Sequence, residues 1–148
     1  MTTKSDLEKD IIESMKAKDQ LRLNALRFLK NAIQLVEKND LSELDEDGVQ
    51  KVVAKQVKDR KESIRMFTEG DRPDLVKKET AELSIIEKYL PPQMTHEDLK
   101  AIVEESIATL NASSAQDKGK VIGHVMKQVQ GAADGAMVSQ IVNQILIN

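Results

Sequence analysis

Four of the six glycines in this chain fall between residues 117 and 135, in the stretch DKGKVIGHVMKQVQGAADG. Phosphate binding is the chemistry that such a stretch could support, because backbone N–H groups in a glycine-rich loop can surround a phosphate. The P-loop spacing G-x-x-x-x-G-K-[ST] is missing, and so is a G-x-G-x-x-G fingerprint after a strand. We therefore predict that Gly131 and Gly135 separate helices, and that Gly119 and Gly123 permit close helix approach.

Other reactive side chains do not form a recognisable catalytic pattern. His96 and His124 lack metal-ligand spacing of the H-E-x-x-H kind. Ser113 and Ser114 precede a helical stretch without a recognisable base and orienting acid, so they are predicted to cap it. The chain has no cysteine, which excludes thiol nucleophiles and thiolate metal sites. The sequence thus predicts no catalytic residue, no metal site and no cofactor.

Basic side chains recur at intervals of three and four between residues 51 and 65, which aligns them along one side of a helix. Two interpretations are open. The stripe could follow nucleic-acid phosphates, or its members could pair with acids one turn away on a solvated face. Base stacking would need exposed aromatic rings, whereas Phe28, Phe67 and Tyr89 are expected to pack inside. The stripe comprises Lys51, Lys55, Lys58, Lys61 and Arg65.

Charge is distributed unevenly along the chain, whose formal net charge is −3. Residues 94–148 hold only four of the 22 basic and six of the 25 acidic side chains, and every arginine precedes them. Neither part is basic overall. Any contact with nucleic acid must therefore come from a local cluster of cations.

Length and composition predict an all-α fold. A chain of 148 residues can form one domain, or one larger and one smaller unit. Aromatic residues make up only 2% of the chain and tryptophan is missing. The core must therefore be aliphatic, which suits packed helices better than a β-sandwich.

Helical periodicity predicts four helices in the first part of the chain. The first follows Ser5 and Glu8, which have capping-box spacing, and the second extends from residue 21. Asp45 or Asp47 could cap a long third helix, which runs from residue 49 to a C-cap at Gly70. The fourth helix has a proline in its first turn, at residue 73.

The consecutive prolines Pro91 and Pro92 predict a boundary between two domains, because they cannot continue a helix. We predict an N-terminal α-helical domain over residues 1–93 and a small helical tail domain over residues 94–148. Three helices are expected in the tail, with Thr95 and Asp134 as N-caps and Gly131 as a stop. The fold prediction is a four-helix unit followed by a three-helix unit.

The opening MTTKSDLEKD is polar, and no later run approaches the ~20 apolar residues that a membrane span requires. We therefore predict a cytoplasmic protein without a membrane partner.

Three stretches carry a resemblance to a known family: LRFLKNAI at 26–33, KDRKESIRMFTEGDRPDLVKKETAELSIIEKYLPPQM at 58–94 and GKVIGHVMKQVQGAADGAMVSQIVNQIL at 119–146. Together they resemble the GatB/YqeY family, specifically its short stand-alone YqeY-like members. The resemblance implies helical and tail domains like those ending the B subunit of tRNA-dependent amidotransferases. A similar module is appended to some glutaminyl-tRNA synthetases. In those settings it helps to hold the tRNA body, while activation and transamidation occur on other domains.

The tail departs from the family pattern K-G-R-A-D-G-K. Gln130, Ala132 and Ala136 stand at the cationic positions. Local positive charge in the tail is therefore left to three lysines, Lys118, Lys120 and Lys127.

The resemblance suggests a non-catalytic, tRNA-associated helical module that contacts the tRNA body weakly and electrostatically. An alternative is an adaptor that docks on an aminoacyl-tRNA synthetase or amidotransferase without RNA contact. A minor alternative is an accessory to carbon–nitrogen ligase activity with glutamine as amido donor, since the chain is not expected to be an enzyme on its own. The candidate RNA-contacting residues are Arg27, Lys30, Lys55, Lys58, Lys61, Arg65, Lys118, Lys120 and Lys127.

Overall fold

The computed structural model describes residues 2–129 and 131–147, and this part of the chain is all-α, with no β-strand. The predicted fold class is confirmed. Short 3₁₀ turns at Glu87–Tyr89 and Ala115–Asp117 accompany the seven helices. These helices are α1 (Thr3–Lys16), α2 (Gln20–Asp40), α3 (Glu46–Glu69), α4 (Pro73–Ile86), α5 (His96–Leu110), α6 (Lys118–Val129) and α7 (Gly135–Ile145).

The helices form two compact units, with α1–α4 in the first and α5–α7 in the second. The division falls between Leu90 and Pro91, three residues before the boundary expected from the sequence. Hydrogen bonds place the intervening residues with the second unit. The Gln93 side-chain amide donates to the Gly131 carbonyl at 3.0 Å, and the next backbone N–H, of Met94, donates to the Ala132 carbonyl at 2.8 Å.

The first unit buries one aliphatic face from each helix. Leu26 on α2 and Val53 on α3 are fully buried, and Ile86 at the end of α4 is 1% exposed. Burial of such a side chain contributes about 1.5–3 kcal/mol relative to leaving it in water. The buried aliphatic side chains of this unit are Leu7, Ile11, Leu23, Ala25, Leu26, Leu29, Ile33, Val49, Val53, Val57 and Ile86.

The second unit has a separate core in which valine predominates. Leu99 and Val103 on α5 are buried together with residues from α6 and α7. The 3.6-residue period of these side chains is what the sequence predicted for the tail. The buried residues of this second core are Leu99, Val103, Val121, Val125, Val129, Ala133, Val138, Ile141, Val142 and Leu146.

Helix caps agree with the sequence except at the first helix. The predicted Ser5–Glu8 capping box is wrong, because α1 begins at Thr3 and the Thr2 side chain accepts from the Ser5 N–H. Asp45 caps α3 by accepting from the Gly48 N–H at 2.8 Å, so this helix begins three residues earlier than predicted. Other caps, at Gly70, Thr95 and Asp134, are confirmed.

The predicted role of Gly119 and Gly123 in close helix approach is wrong. A Cβ atom added to either residue would meet nothing within 4 Å in the part of the chain that is described. Both residues lie on the exposed side of α6. Since glycine in a helix interior is less favourable than alanine by about 1 kcal/mol, packing inside this unit gives no reason for them.

The start of α1 is held to the start of α3 by the carboxylate of Glu46. The Thr3 hydroxyl donates to this carboxylate, the Thr3 backbone N–H lies 3.2 and 3.1 Å from its two oxygens, and the Gln50 amide lies 3.4 Å away. These hydrogen bonds, led by that of the Thr3 side chain, hold the pKa of Glu46 below its usual value of 4.5.

A carboxyl group with a depressed folded-state pKa stabilises the fold above its unfolded pKa, and this stabilisation is lost as the pH falls through the folded value. Glu46→Gln should therefore lower the free energy of unfolding modestly at pH 7, and by progressively less below about pH 4.5. Urea unfolding at pH 7 and at lower pH measures this. Glu13→Gln, at an exposed position of α1, is the charge-matched control. An equal loss for Glu46→Gln at every pH would contradict the prediction.

Candidate nucleic-acid interface

The basic stripe on α3 is largely paired with acids. Lys55 Nζ lies 2.8 Å from Asp59 one turn away, and Lys61 Nζ lies 3.8 Å from Glu87. The third paired residue, Arg65, bonds Glu62 and reaches Glu69 at 2.8 Å. These pairs raise the pKa of Arg65 and lower that of Glu62. The solvated-pair interpretation therefore describes three stripe residues, which would have to exchange a carboxylate for a phosphate to bind RNA.

Lys58 differs from these three neighbours. Its side chain is exposed, and no carboxylate among the described residues lies within 4 Å of it. Of the four predicted contact residues on α3, Lys58 is thus the one that is available without breaking an ion pair.

Arg27 and Lys30 on α2 also differ from each other. Lys30 Nζ is 2.6 Å from Glu8 on α1, whereas Arg27 is exposed and its guanidinium Nη2 lies 3.6 Å from the Met15 sulfur. No ion pair involves Arg27 in the described part of the chain. Arg27 therefore keeps its charge free for an external anion.

The expectation that Phe28 packs inside is wrong, because its side chain is 56% exposed. One part of the ring is covered by the guanidinium of Arg60, whose central carbon lies 5.1 Å from the ring centroid. The other predicted interior rings, Phe67 and Tyr89, are half-buried. Phe28 therefore presents an accessible aromatic surface on α2.

The tail lysines lie on α6, whose buried side chains include Val121 and Val125. Lys120 and Lys127 are exposed and seven residues apart, so they point to nearly the same side of the helix. Lys118 is half-buried at the start of the helix. Within the described residues, none of these three lysines has a carboxylate within 4 Å.

Ala132 and Ala136, at two of the positions where this chain departs from the family pattern, form backbone hydrogen bonds in the tail. The Ala132 N–H donates to Val129 and its carbonyl accepts from Met94, while the Ala136 N–H donates to the Asp134 carboxylate at 3.1 Å. Gln130 lies outside the described residues. The methyl side chains of the two alanines can supply no charge to a phosphate.

Arg60 is a structural cation that the sequence stripe did not include. It is 8% exposed, and its guanidinium bonds the carboxylate of Glu82 and lies 3.0 Å from Glu79, both on α4. Arg60 follows Val53 and Val57 by seven and three residues, so it lies on the buried face of α3. The spacing of Arg60 from these two valines is the sequence pattern that could have predicted its burial.

His124, Ser113 and Ser114 have identifiable structural partners, whereas His96 is an exposed residue at the start of α5. His124 Nδ1 lies 2.9 Å from the hydroxyl of the buried Ser106. Backbone N–H groups of Ser113 and Ser114 donate to Asp117, which lowers the pKa of that carboxyl. Among the residues that the structure describes, no group of three or more His, Asp or Glu side chains is placed to hold a metal ion. In the same residues, no helix is long and apolar enough to cross a membrane.

Over residues 2–129 and 131–147, the protein is all-helical with two compact units, and α2, α3 and α6 carry cations that have no carboxylate within 4 Å. The chain belongs to the YqeY family, described as Yqey-like protein, which matches residues 4–146. The resemblance seen in the sequence is therefore confirmed at the level of the family.

Curated relatives of this chain occur in fungi under the name "Altered inheritance of mitochondria protein 41, mitochondrial". The relative from Candida glabrata is 34% identical over 111 residues, which cover 72% of this chain and 61% of that protein. That from Pyrenophora tritici-repentis is 26% identical over 143 residues, covering 95% and 78%. The first match thus spans less than two thirds of its relative. Because the names of these relatives describe mitochondrial proteins, the predicted cytoplasmic location stays a prediction.

Proposed function

We propose that this chain is a non-catalytic helical module that contacts the tRNA body weakly through phosphate-directed cations. One observation carries the proposal: five of the nine predicted contact residues have no carboxylate within 4 Å in the described chain. All three tail lysines belong to this set, which is called the unpaired cations below. Its members are Arg27, Lys58, Lys118, Lys120 and Lys127.

Weak binding follows from the small size of this set and from the net charge of −3. Each neutralised phosphate contributes about −0.7 to −0.9 to the slope of log K against log[salt]. The four remaining candidates, Lys30, Lys55, Lys61 and Arg65, would first have to leave an acid. Specificity for one base sequence is not expected, since phosphate contacts carry no sequence information.

Activation and transamidation belong, in this proposal, to a separate aminoacyl-tRNA synthetase or amidotransferase that handles the same tRNA. This chain would be an accessory to carbon–nitrogen ligase chemistry with glutamine as amido donor, and it would act in the cytoplasm. The purified chain should accordingly show neither glutaminase nor amidotransfer activity. Support comes from the partners of Ser113, Ser114 and His124, which hold local structure.

Two double variants that remove the same amount of charge test the role of the unpaired cations. Lys120→Gln with Lys127→Gln should weaken tRNA binding and reduce the magnitude of the salt slope by about 1.5. The matched control, Lys55→Gln with Lys61→Gln, removes the same charge from residues already engaged with Asp59 and Glu87, so its slope should change less. Fluorescence titration of labelled tRNA across a salt series measures both. Equal reductions in the two double variants would contradict the assignment.

A second candidate function, the protein-interaction adaptor, is favoured by an apolar stripe on α2. Leu21, Phe28 and Leu35 are spaced by seven residues and are 43%, 56% and 59% exposed. Asn24 and Asn31 lie between them on the same side of the helix. None of these five residues of α2 is charged, and an exposed stripe of this kind is typical of a surface that receives a partner helix.

The adaptor and the RNA module differ in their dependence on nucleic acid. Recovery of a synthetase or amidotransferase on the immobilised chain from nuclease-treated cytosol, abolished by Leu35→Gln, would favour the adaptor. Recovery that is lost on nuclease treatment would favour the tRNA module.

A further inference from the structure

A cavity of about 320 Å³ opens in the first unit between α1, the start of α2 and the end of α4. This volume lies near the lower end of the range of about 300–1,000 Å³ for small-molecule sites. The candidate RNA-contacting residues do not contribute to its lining. The charged residues that do are Asp6, Lys9, Asp10, Arg22 and Lys88.

The carboxylate of Asp10 is already occupied. It accepts the hydroxyl hydrogen of Tyr89, which also lines the cavity. Burial of the phenol, followed by the nearby Asp10, raises the pKa of Tyr89 well above its usual value. The phenol is therefore the hydrogen-bond donor in this contact, and one oxygen of the Asp10 carboxylate is already engaged.

The basic side chains that line the cavity have few partners among the described residues. Arg22 Nη2 lies 3.6 Å from Asp10, which is close enough for an ion pair but too long for a hydrogen bond. Lys9 and Lys88 are exposed at the cavity and form no ion pair with the described residues. The lining thus contains three cations and two carboxylates, Asp6 and Asp10, which leaves it with an excess of one positive charge.

We infer that this cavity binds a small molecule that carries a phosphate group. The guanidinium of Arg22 supplies a planar pair of N–H donors suited to two phosphate oxygens, and Lys9 and Lys88 supply further charge-assisted donors. A phosphate dianion matches this set better than one carboxylate, because it offers three oxygens to donors from different directions. The Asp6 carboxylate repels an anion, so the ligand is expected to place a hydrogen-bond donor next to Asp6.

This inference is independent of tRNA binding, since none of the unpaired cations lines the cavity. The same phosphate chemistry could come from a free small molecule or from an RNA backbone. We assign the cavity to a free small molecule, and competition with tRNA separates the two sources.

The test is a titration of the full chain with inorganic phosphate and with adenosine monophosphate at constant ionic strength, followed by amide NMR shifts. Shifts should localise around residues 3–10, 22 and 85–89. Arg22→Gln should weaken binding about tenfold or more, because a charge-assisted pair of hydrogen bonds is lost. Lys88→Gln, at an exposed position, should also weaken binding and does not depend on the Arg22–Asp10 pair. Lys58→Gln on α3 is the control of equal charge change and should alter the Kd less than twofold.

Absence of localised shifts at millimolar phosphate and adenosine monophosphate would overturn the inference. So would equal weakening by Lys58→Gln and by the two cavity variants, which would indicate diffuse electrostatics. Retention of the small ligand at saturating tRNA would support a separate site, whereas its displacement by tRNA would overturn that assignment. If the native chain binds phosphate here but fails to bind tRNA, the cavity stands and the proposed function fails.

Discussion

Arg60→Met is expected to destabilise the first unit by about 3 kcal/mol, because it would leave a buried carboxylate without its counter-ion. Glu82 is 9% exposed and is bonded to the Arg60 guanidinium, which also lies 3.0 Å from Glu79. The same guanidinium covers part of the Phe28 ring. Methionine keeps much of the apolar stem but can neutralise neither acid. Chemical unfolding in urea, followed by circular dichroism, measures the loss.

Two comparison variants identify the cause of that loss. Arg65→Met removes the same type of side chain from exposed pairs with Glu62 and Glu69, and exposed pairs contribute little. Arg60→Met combined with Glu82→Leu should recover most of the stability, because replacing a buried pair by apolar side chains is often close to neutral. Equal losses for Arg60→Met and Arg65→Met, or no recovery in the double variant, would contradict this account of Arg60.

Leu99→Ala is expected to destabilise the second unit by about 3 kcal/mol, within the range for truncating a buried leucine. Leu99 is 0% exposed on α5 and belongs to the core formed with α6 and α7. A unit restricted to residues 91–148 has little stability in reserve. The substitution should therefore bring this unit close to its unfolding midpoint at room temperature.

Amide NMR signals from residues 96–145 report this effect directly, because an unfolding tail loses its chemical-shift dispersion. Met137→Ala truncates a side chain that is 38% exposed on α7, so it should leave the spectrum folded. A well-dispersed tail spectrum for Leu99→Ala, with an unfolding free energy close to that of the native chain, would show that the core does not depend on this residue.

The helices could be predicted because local chemistry and periodicity agree along most of the chain. Asp45, Gly70 and Asp134 are caps in the structure as the sequence indicated, although α3 begins three residues before the predicted start. Pro73 occupies the first turn of α4 as expected. The prediction for the start of α1 was wrong because Ser5 and Glu8 have capping-box spacing but do not cap the helix. The residues that form the capping box are Thr2 and Ser5, one turn earlier.

What lies opposite a helix face could not be predicted from periodicity. The sequence predicts that Phe28 packs inside, yet it lies outside the buried face of α2 and is covered in part by Arg60. Gly119 and Gly123 were expected to meet a helix, but their side of α6 faces open space within the described chain. Both errors concern what packs against one side of a helix, and this depends on tertiary packing.

Part of the charged surface followed from sequence spacing and part did not. Lys55 and Asp59 are four residues apart, which is the spacing of a helical ion pair. The Lys30–Glu8 and Lys61–Glu87 pairs join different elements, so no local pattern indicates them. The division of the nine candidates into paired and unpaired cations therefore required the fold.

Titration of native protein with fluorescent tRNA at several salt concentrations tests whether the unpaired cations bind the tRNA backbone. Binding in the micromolar range is expected at low salt, with a slope of log K against log[salt] of about −4 if the five unpaired cations each neutralise one phosphate. Absence of binding at both low and moderate salt would contradict it. Binding that is insensitive to salt would contradict it as well, because the contact would then not be made by cations on phosphates.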